Sequence, residues 1–323
     1  MKNLGILAIC CMVLLAGCQQ ADGIDNMNEE LPVSIEASIG NMQMSRYASS
    51  GDSPNNLFFD AGDDIGLFMK GKNLVKWTKT QSGWSTETPL YWPNKSDSYE
   101  FYAYYPYAEA TSIESVPMPS LAGQLGTIAS LSDCDFLVAY TNQSYGTDGT
   151  VSFIGTDASF KHVSSLVAIT IKGDGDLKTS TIQQISFSAP NIASGTTYSL
   201  SDGTMNFVDD KKSDEMVSGD LNYTMEGADH TFYFILNNGI AFSDITFSLK
   251  YSTNGTKYNA EKVGLGNEGI LESGKRYNFN LKISDGVLTV FGSNIVNWGD
   301  GTQMDDIEIN NPTEDNNQND ENT

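Results

Sequence analysis

The sequence predicts an all-β fold built from antiparallel sandwiches. Apolar and polar residues alternate in short runs such as ITFSLKY (245–251) and RYNFNLKI (276–283), and a period of two is typical of strands with one buried face. Turn signals such as GDGD (173–176) and TNG (253–255) separate these runs. Long helical periodicity is missing from the sequence after Leu31. Short strands with frequent Gly, Asn and Asp turns favour β-sandwiches.

The composition limits which partners the protein can have. The chain has 323 residues, of which 39% are hydrophobic, so it can bury the cores of two ordinary domains. Its formal net charge is −23. A chain this acidic is repelled by phosphate backbones and by anionic lipid surfaces, so we expect no nucleic-acid partner. The acidity itself is explained by solubility.

The N-terminus predicts a secreted and lipidated protein. Lys2 precedes a short apolar run from Leu4 to Leu15, which is too short for a permanent membrane span and fits a signal peptide. The following Leu-Ala-Gly-Cys resembles the lipobox of bacterial lipoproteins, which implies cleavage between Gly17 and Cys18 and acylation of Cys18. Acyl chains would hold the protein on the outer membrane. The alternative is an ordinary signal peptide with a chance cysteine.

The chain then divides into several predicted segments. Residues 1–17 form the signal peptide and 18–30, which are polar and acidic, a flexible tether. A break near 173–180 suggests two domains, 31–175 and 176–309. The tail 310–323 has almost no apolar residue and is expected to be disordered.

One stretch, YWPNKSDSYEFYAYYPY (91–107), contains eight aromatic residues among seventeen. It too alternates, and prolines bracket it, as expected at the ends of a strand. Aromatic side chains pack well on a pleated sheet, so we expect one core face and a second, partly covered face. The alternative is a glycan-stacking platform made of Trp92, Tyr102 and Tyr104.

The order of several segments resembles that of one protein family. The segments are VSIEASI (33–39), FDAGDDIGLF (59–68), the aromatic stretch, DFLVAYT (135–141), FKHVSSLVAITI (160–171), LESGKRYNFNLKI (271–283) and NIVNW (294–298). Together they resemble the fimbrillin family of Bacteroidales, the Mfa-like lipoproteins. The resemblance implies two tandem transthyretin-like Greek-key β-sandwich domains. It also implies a pilus shaft, anchor or tip subunit, or a related cell-surface adhesin.

The resemblance also implies how such a subunit assembles. In the family an arginine-specific protease removes an N-terminal strand, and a strand from another subunit fills the groove, so other fimbrial subunits are the expected partners. Here the candidate cleavage lies between Arg46 and Tyr47, and the candidate displaced strand carries Val33, Ile35, Ala37 and Ile39. The alternative is an uncut strand end. Candidate donor segments are LTVFG (288–292) and MDDIEI (304–309).

The sequence gives little support to an enzyme, a metal site or a cofactor. It contains no GxSxG, HExxH or glycine-rich phosphate loop. Asp60, Asp63 and Asp64 lack the spacing of a calcium-binding EF-hand, and His162, beside a predicted strand, is expected to be a packed histidine. Cys134 lies between acidic residues that disfavour its thiolate.

Two functions remain open at this point. The first is a fimbrial subunit or adhesin on the cell surface or in a fimbrium, with a possible receptor on a host or bacterial surface. The second is a non-polymerising lipoprotein that binds glycans or proteins.

Overall fold

A computed structural model of the protein describes residues 30–40, 59–266 and 269–298. Its first ten strands are β1 (Ser34–Ala37), β2 (Asp64–Met69), β3 (Val75–Thr80), β4 (Gly83–Ser85), β5 (Ser98–Tyr105), β6 (Val116–Pro117), β7 (Leu137–Ser144), β8 (Thr150–Phe153), β9 (Lys161–His162) and β10 (Ser165–Ile171). The other ten are β11 (Thr181–Ser188), β12 (Thr196–Tyr198), β13 (Met205–Phe207), β14 (Glu215–Val217), β15 (Tyr223–Thr224), β16 (His230–Leu236), β17 (Thr246–Thr253), β18 (Thr256–Val263), β19 (Lys275–Ser284) and β20 (Val287–Asn297). Four short 3₁₀ helices join them: η1 (Ile128–Asp133), η2 (Gly175–Leu177), η3 (Asp209–Lys211) and η4 (Phe242–Asp244). The all-β prediction is confirmed.

The N-terminal half is built on a six-stranded antiparallel sheet in the order β4-β3-β2-β5-β7-β9. One face of this sheet packs into a large apolar cluster that also includes residues of β1 and β8. The opposite face packs into a smaller cluster with residues of the three-stranded sheet β13-β12-β6. Both faces of the six-stranded sheet are therefore packed against other parts of the chain, and one of the covers includes residues beyond 195.

Strand β5 explains the aromatic stretch. Phe101, Ala103 and Tyr105 face the large cluster, and Tyr102 and Tyr104 face the smaller one. All five side chains are buried. The predicted alternation is correct, and so is the partly covered second face, since Tyr102 and Tyr104 are buried whereas Ser98 is exposed and Glu100 half-buried. Aromatic residues on both faces let one central strand anchor two packed layers.

The C-terminal half is a sandwich of two sheets. A four-stranded sheet in the order β16-β10-β19-β20 packs against a sheet in the order β14-β11-β17-β18, in which β15 also pairs with β11. Between them lies an apolar cluster to which alternate residues of β10, β11, β16, β17 and β19 contribute. These alternating positions include the inward faces that the sequence predicts for ITFSLKY and RYNFNLKI.

Two strand pairs differ from the antiparallel prediction. Strand β1 pairs with β8 in parallel, and β10 pairs with β19 in parallel. Strand β10 precedes the predicted boundary at 175, but its partners β16 and β19 follow it. The hydrogen bonds of β10 therefore place it in the sheet of the C-terminal half. The division of the chain into two domains stays a prediction.

A substitution at Gly66 tests how β5 packs beside β2. It lies opposite Tyr104 in the β2–β5 ladder, and a Cβ built on it would lie 2.3 Å from the buried ring. Gly66→Ala should therefore displace the Tyr104 ring and cost about 1–3 kcal/mol in the free energy of unfolding, measured by urea denaturation.

Gly219→Ala is the matched control, because a Cβ there meets first the tip of the exposed Leu125 side chain, at 2.9 Å. Its loss should be smaller than that of Gly66→Ala. Equal losses in the two variants would contradict the assigned contact between Gly66 and Tyr104.

Candidate functional site

The candidate site is the groove that the N-terminal segment 31–40 occupies between two other parts of the chain. We call this groove the seat of the segment. On one side the Val33 amide donates to Leu90 O at 2.8 Å, and the Trp92 amide donates to Leu31 O at 2.9 Å. On the other side β1 runs parallel to β8, and Ile39 continues the parallel pairing opposite Phe160. The segment is thus a strand inserted between neighbours that are distant in sequence.

The side chains of this segment alternate as the sequence predicts. Val33, Ile35 and Ile39 are buried in the large N-terminal cluster, and Ala37 is half-buried against it. Fully burying a Val or Ile side chain contributes about 1.5–3 kcal/mol. Removing the segment would expose an apolar groove along β8, together with backbone groups that lose their partners.

The outward face of the segment is polar. Ser34 Oγ and Thr150 Oγ1 form a hydrogen bond of 2.8 Å, and Ser152 Oγ donates to Glu36 Oε1 at 2.5 Å. These contacts add to the backbone ladder and fix the register of β1 on β8. Each is exposed to solvent, so we attribute most of the binding to the buried face.

Several predicted site residues lie outside the described residues: Gly17, Cys18, Arg46 and Tyr47. Their processing stays a prediction. The second arginine of the chain, Arg276, lies in β19 and is 7% exposed. Burial lowers the pKa of its guanidinium, and a protease cannot reach a backbone bond held in a central strand of a sheet without unfolding it.

The proposed glycan-stacking rings require a correction. Trp92 is 3% exposed, Tyr102 is 7% exposed and Tyr104 is fully buried. Trp92 Nε1 donates to Gly149 O at 2.8 Å, and burial strongly raises the pKa of the Tyr104 phenol. These three rings belong to the apolar clusters of the core, and they do not form a platform for a sugar.

The two candidate donor segments are placed differently. Residues 288–292 lie within β20, which pairs antiparallel with β19 at the edge of the four-stranded sheet. In this structure the backbone of these residues is already paired with β19 of the same chain. Residues 304–309 lie outside the described residues.

A buried polar cluster at the junction of the two halves was only partly visible in the sequence. His162 Nδ1 lies 3.0 Å from Asp135 Oδ1, and the His162 ring stacks on Trp298 with 3.8 Å between centroids. Both His162 and Asp135 are buried. The expectation of a packed, hydrogen-bonded histidine is confirmed, and the stacking partner, far along the chain, could not be read from local sequence.

The other reactive groups have structural surroundings as well. Burial, with the neighbouring Asp133 and Asp135 carboxylates, raises the pKa of the Cys134 thiol to about 11, which disfavours the reactive thiolate. Asp63 Oδ2 accepts from the Asp60 amide at 2.7 Å in the turn before β2. Among the described residues no group of three or more His, Cys, Asp or Glu side chains is arranged to hold a metal ion. Within the same part of the chain no helix has the length and hydropathy of a membrane span.

Comparison with known proteins identifies the family. The model of the fimbrillin-like family matches residues 48–298, well over half of the chain, so the protein belongs to the fimbrillin-like family. This is a family of fimbrial and adhesion proteins and not an enzyme family. Strand β1 lies before the matched range.

Solved structures support the fold. A candidate cell adhesion protein from Bacteroides uniformis is 19% identical, with a TM-score of 0.57 over 83% of this chain and 99% of its own. A second, from Bacteroides ovatus, is 15% identical, with a TM-score of 0.57 over 83% of this chain and 98% of its own. No curated protein matches the chain.

Ile35 tests whether the N-terminal segment is integral to the core. Ile35→Ala should lower the free energy of unfolding by about 2–5 kcal/mol in urea denaturation, because it removes a buried side chain and leaves a cavity. Ser34→Ala is the matched control on the same strand, since its exposed hydroxyl makes a single surface hydrogen bond. An Ile35→Ala variant as stable as Ser34→Ala would show that β1 does not close this core.

Proposed function

We propose that the protein is a lipid-anchored fimbrial subunit or fimbrillin-like adhesin of the cell surface, and that it assembles by strand exchange at the seat of segment 31–40. The observation that carries this proposal is the position of that segment. It is buried like a core strand, yet its parallel partner β8 lies more than a hundred positions further along the chain.

The seat has the features that strand addition requires. Backbone groups of β8 and of residues 90–92 supply hydrogen bonds along the groove, and the pockets of the buried side chains supply specificity. A replacing strand must run parallel to β8 and present apolar side chains at alternate positions. The third position, now occupied by the half-buried Ala37, favours a small side chain.

The proposed lipid anchor acts before the proposed cleavage. Acylation of Cys18 would hold the precursor on the outer membrane, because two or more acyl chains give stable attachment. Cleavage between Arg46 and Tyr47 would cut the chain after the whole of segment 31–40. The lipidated piece and β1 would then leave together, and the groove would open for the strand of another subunit.

Arg46 provides the direct test. In the protein purified from its native envelope, mass spectrometry should find a mature N-terminus at Tyr47 and, by gel electrophoresis without boiling, ladders of assembled subunits. Arg46→Gln should abolish both the new N-terminus and the ladders, because an arginine-specific protease needs the guanidinium at this position.

Arg46→Lys is the matched control for charge, and it should fail in the same way while the protein keeps its Tm. The bond after Arg276 should stay intact in every sample, since this residue is buried in β19. Ladders that form from the uncut Arg46→Gln protein would overturn the cleavage step.

A further inference from the structure

A polar cleft of about 550 Å³ lies beside the first sheet. Strand β1 contributes Glu36 to it, β5 contributes Ser98, and β7 contributes Asn142 and Ser144. The turn between β7 and β8 closes it with residues 145–148. The lining therefore combines hydroxyl, amide and carboxylate groups, which can both donate and accept hydrogen bonds.

The walls of the cleft are held in place by contacts between neighbouring strands. Gln143 Nε2 donates to Ser152 O at 2.8 Å, and Gln143 Oε1 accepts from the Ser152 amide at 3.0 Å, which ties β7 to β8. The Tyr145 ring packs edge-on against the buried Trp92, with 6.0 Å between centroids. The cleft is thus largely formed before a ligand arrives, which lowers the entropy cost of binding.

An exposed aromatic side chain stands next to this cleft. Tyr140 is 44% exposed, and it lies two residues before Asn142 on the same outward face of β7. Two residues of a strand span about 6.6–6.8 Å, close to the length of one sugar ring. Tyr140 and the cleft therefore form a continuous surface along the strand.

Neighbouring contacts fix the Tyr140 ring. It packs on Tyr102 with 5.0 Å between centroids, and its hydroxyl donates to Glu100 Oε1 at 3.2 Å. Lys70 forms an ion pair with the same carboxylate, and this contact lowers the pKa of Glu100. The ring is held on one side while much of its surface remains open to solvent.

We propose that this surface, Tyr140 together with the cleft at Asn142, Ser98 and Ser144, binds a neutral oligosaccharide. The C–H face of one sugar ring would pack on Tyr140, and the hydroxyls of the next would bond the amide and hydroxyl groups of the cleft. The net charge of −23 disfavours sialylated or sulfated chains.

This site goes beyond subunit assembly, because it assigns a receptor class to the surface. It differs from the stacking platform predicted from the sequence, whose rings are buried. Alternation alone could not distinguish Tyr140 from Tyr102, since the two lie opposite each other on the same face of the sheet.

The test uses the full chain and a panel of soluble gluco-, manno-, xylo- and galacto-oligosaccharides, with sialylated and sulfated chains as the acidic arm. Isothermal calorimetry and saturation-transfer NMR should detect binding of at least one neutral member. Tyr140→Ala and Asn142→Ala should each weaken this binding by about tenfold or more. The matched control is Tyr258→Ala, because Tyr258 is 46% exposed and also packs on a second tyrosine, Tyr251, at 5.1 Å.

The outcomes are distinct. Neutral binding that is lost in Tyr140→Ala and Asn142→Ala but kept in Tyr258→Ala supports the site, provided that all three variants keep their Tm. Three results would overturn it: no neutral member of the panel binds, all variants bind equally, or the acidic arm binds better. Arg46→Gln separates this inference from assembly, since the uncut protein should still bind the sugar.

Discussion

The apolar surface along β8 has to be covered by a strand, and in this structure the N-terminal segment 31–40 covers it. Three buried side chains and two rows of backbone hydrogen bonds depend on that single insertion. An uncovered groove would expose apolar side chains and unpaired amides at the same time, which is costly in water. If the segment is removed, another strand with a similar alternation of apolar side chains is therefore needed to cover the groove.

The seat of segment 31–40 is connected to the junction between the two halves of the protein. Phe160 pairs with the end of segment 31–40, and two residues later His162 bonds Asp135 and stacks on Trp298. Trp298 directly follows β20. The end of the groove and the end of β20 thus meet in one buried cluster.

The sequence predicted most of what depends on local pattern. The alternation of ITFSLKY, of the β5 stretch and of segment 33–39 indicated the inward faces correctly, because a period of two follows directly from strand geometry. It did not reveal which remote segments cover a given face. The cover of Tyr102 and Tyr104 includes Tyr198 and Met205, and the partner of β10 on one side is β19. Such pairings join residues far apart in the chain and leave no local signal.

The same distinction applies to the candidate site. The sequence indicates correctly that Val33, Ile35 and Ile39 share one face, but it does not indicate the parallel partner of that strand. Residue type alone suggests the rings of Trp92, Tyr102 and Tyr104 as sugar-binding groups, but these rings are buried. Tyr140 has the same residue type and an exposed position, and only the arrangement of the sheets distinguishes it.

The most direct measurement locks the inserted strand in its seat. Ser34 and Thr150 are paired across β1 and β8 with their hydroxyls 2.8 Å apart, and neighbouring strands lie about 4.8 Å apart, a distance that a disulfide spans. In the double variant Ser34→Cys, Thr150→Cys, oxidation should leave the protein folded and cleavable after Arg46 but unable to form ladders, and a reductant should restore them. Ladders that form equally well from the oxidised and the reduced protein would contradict assembly through this seat.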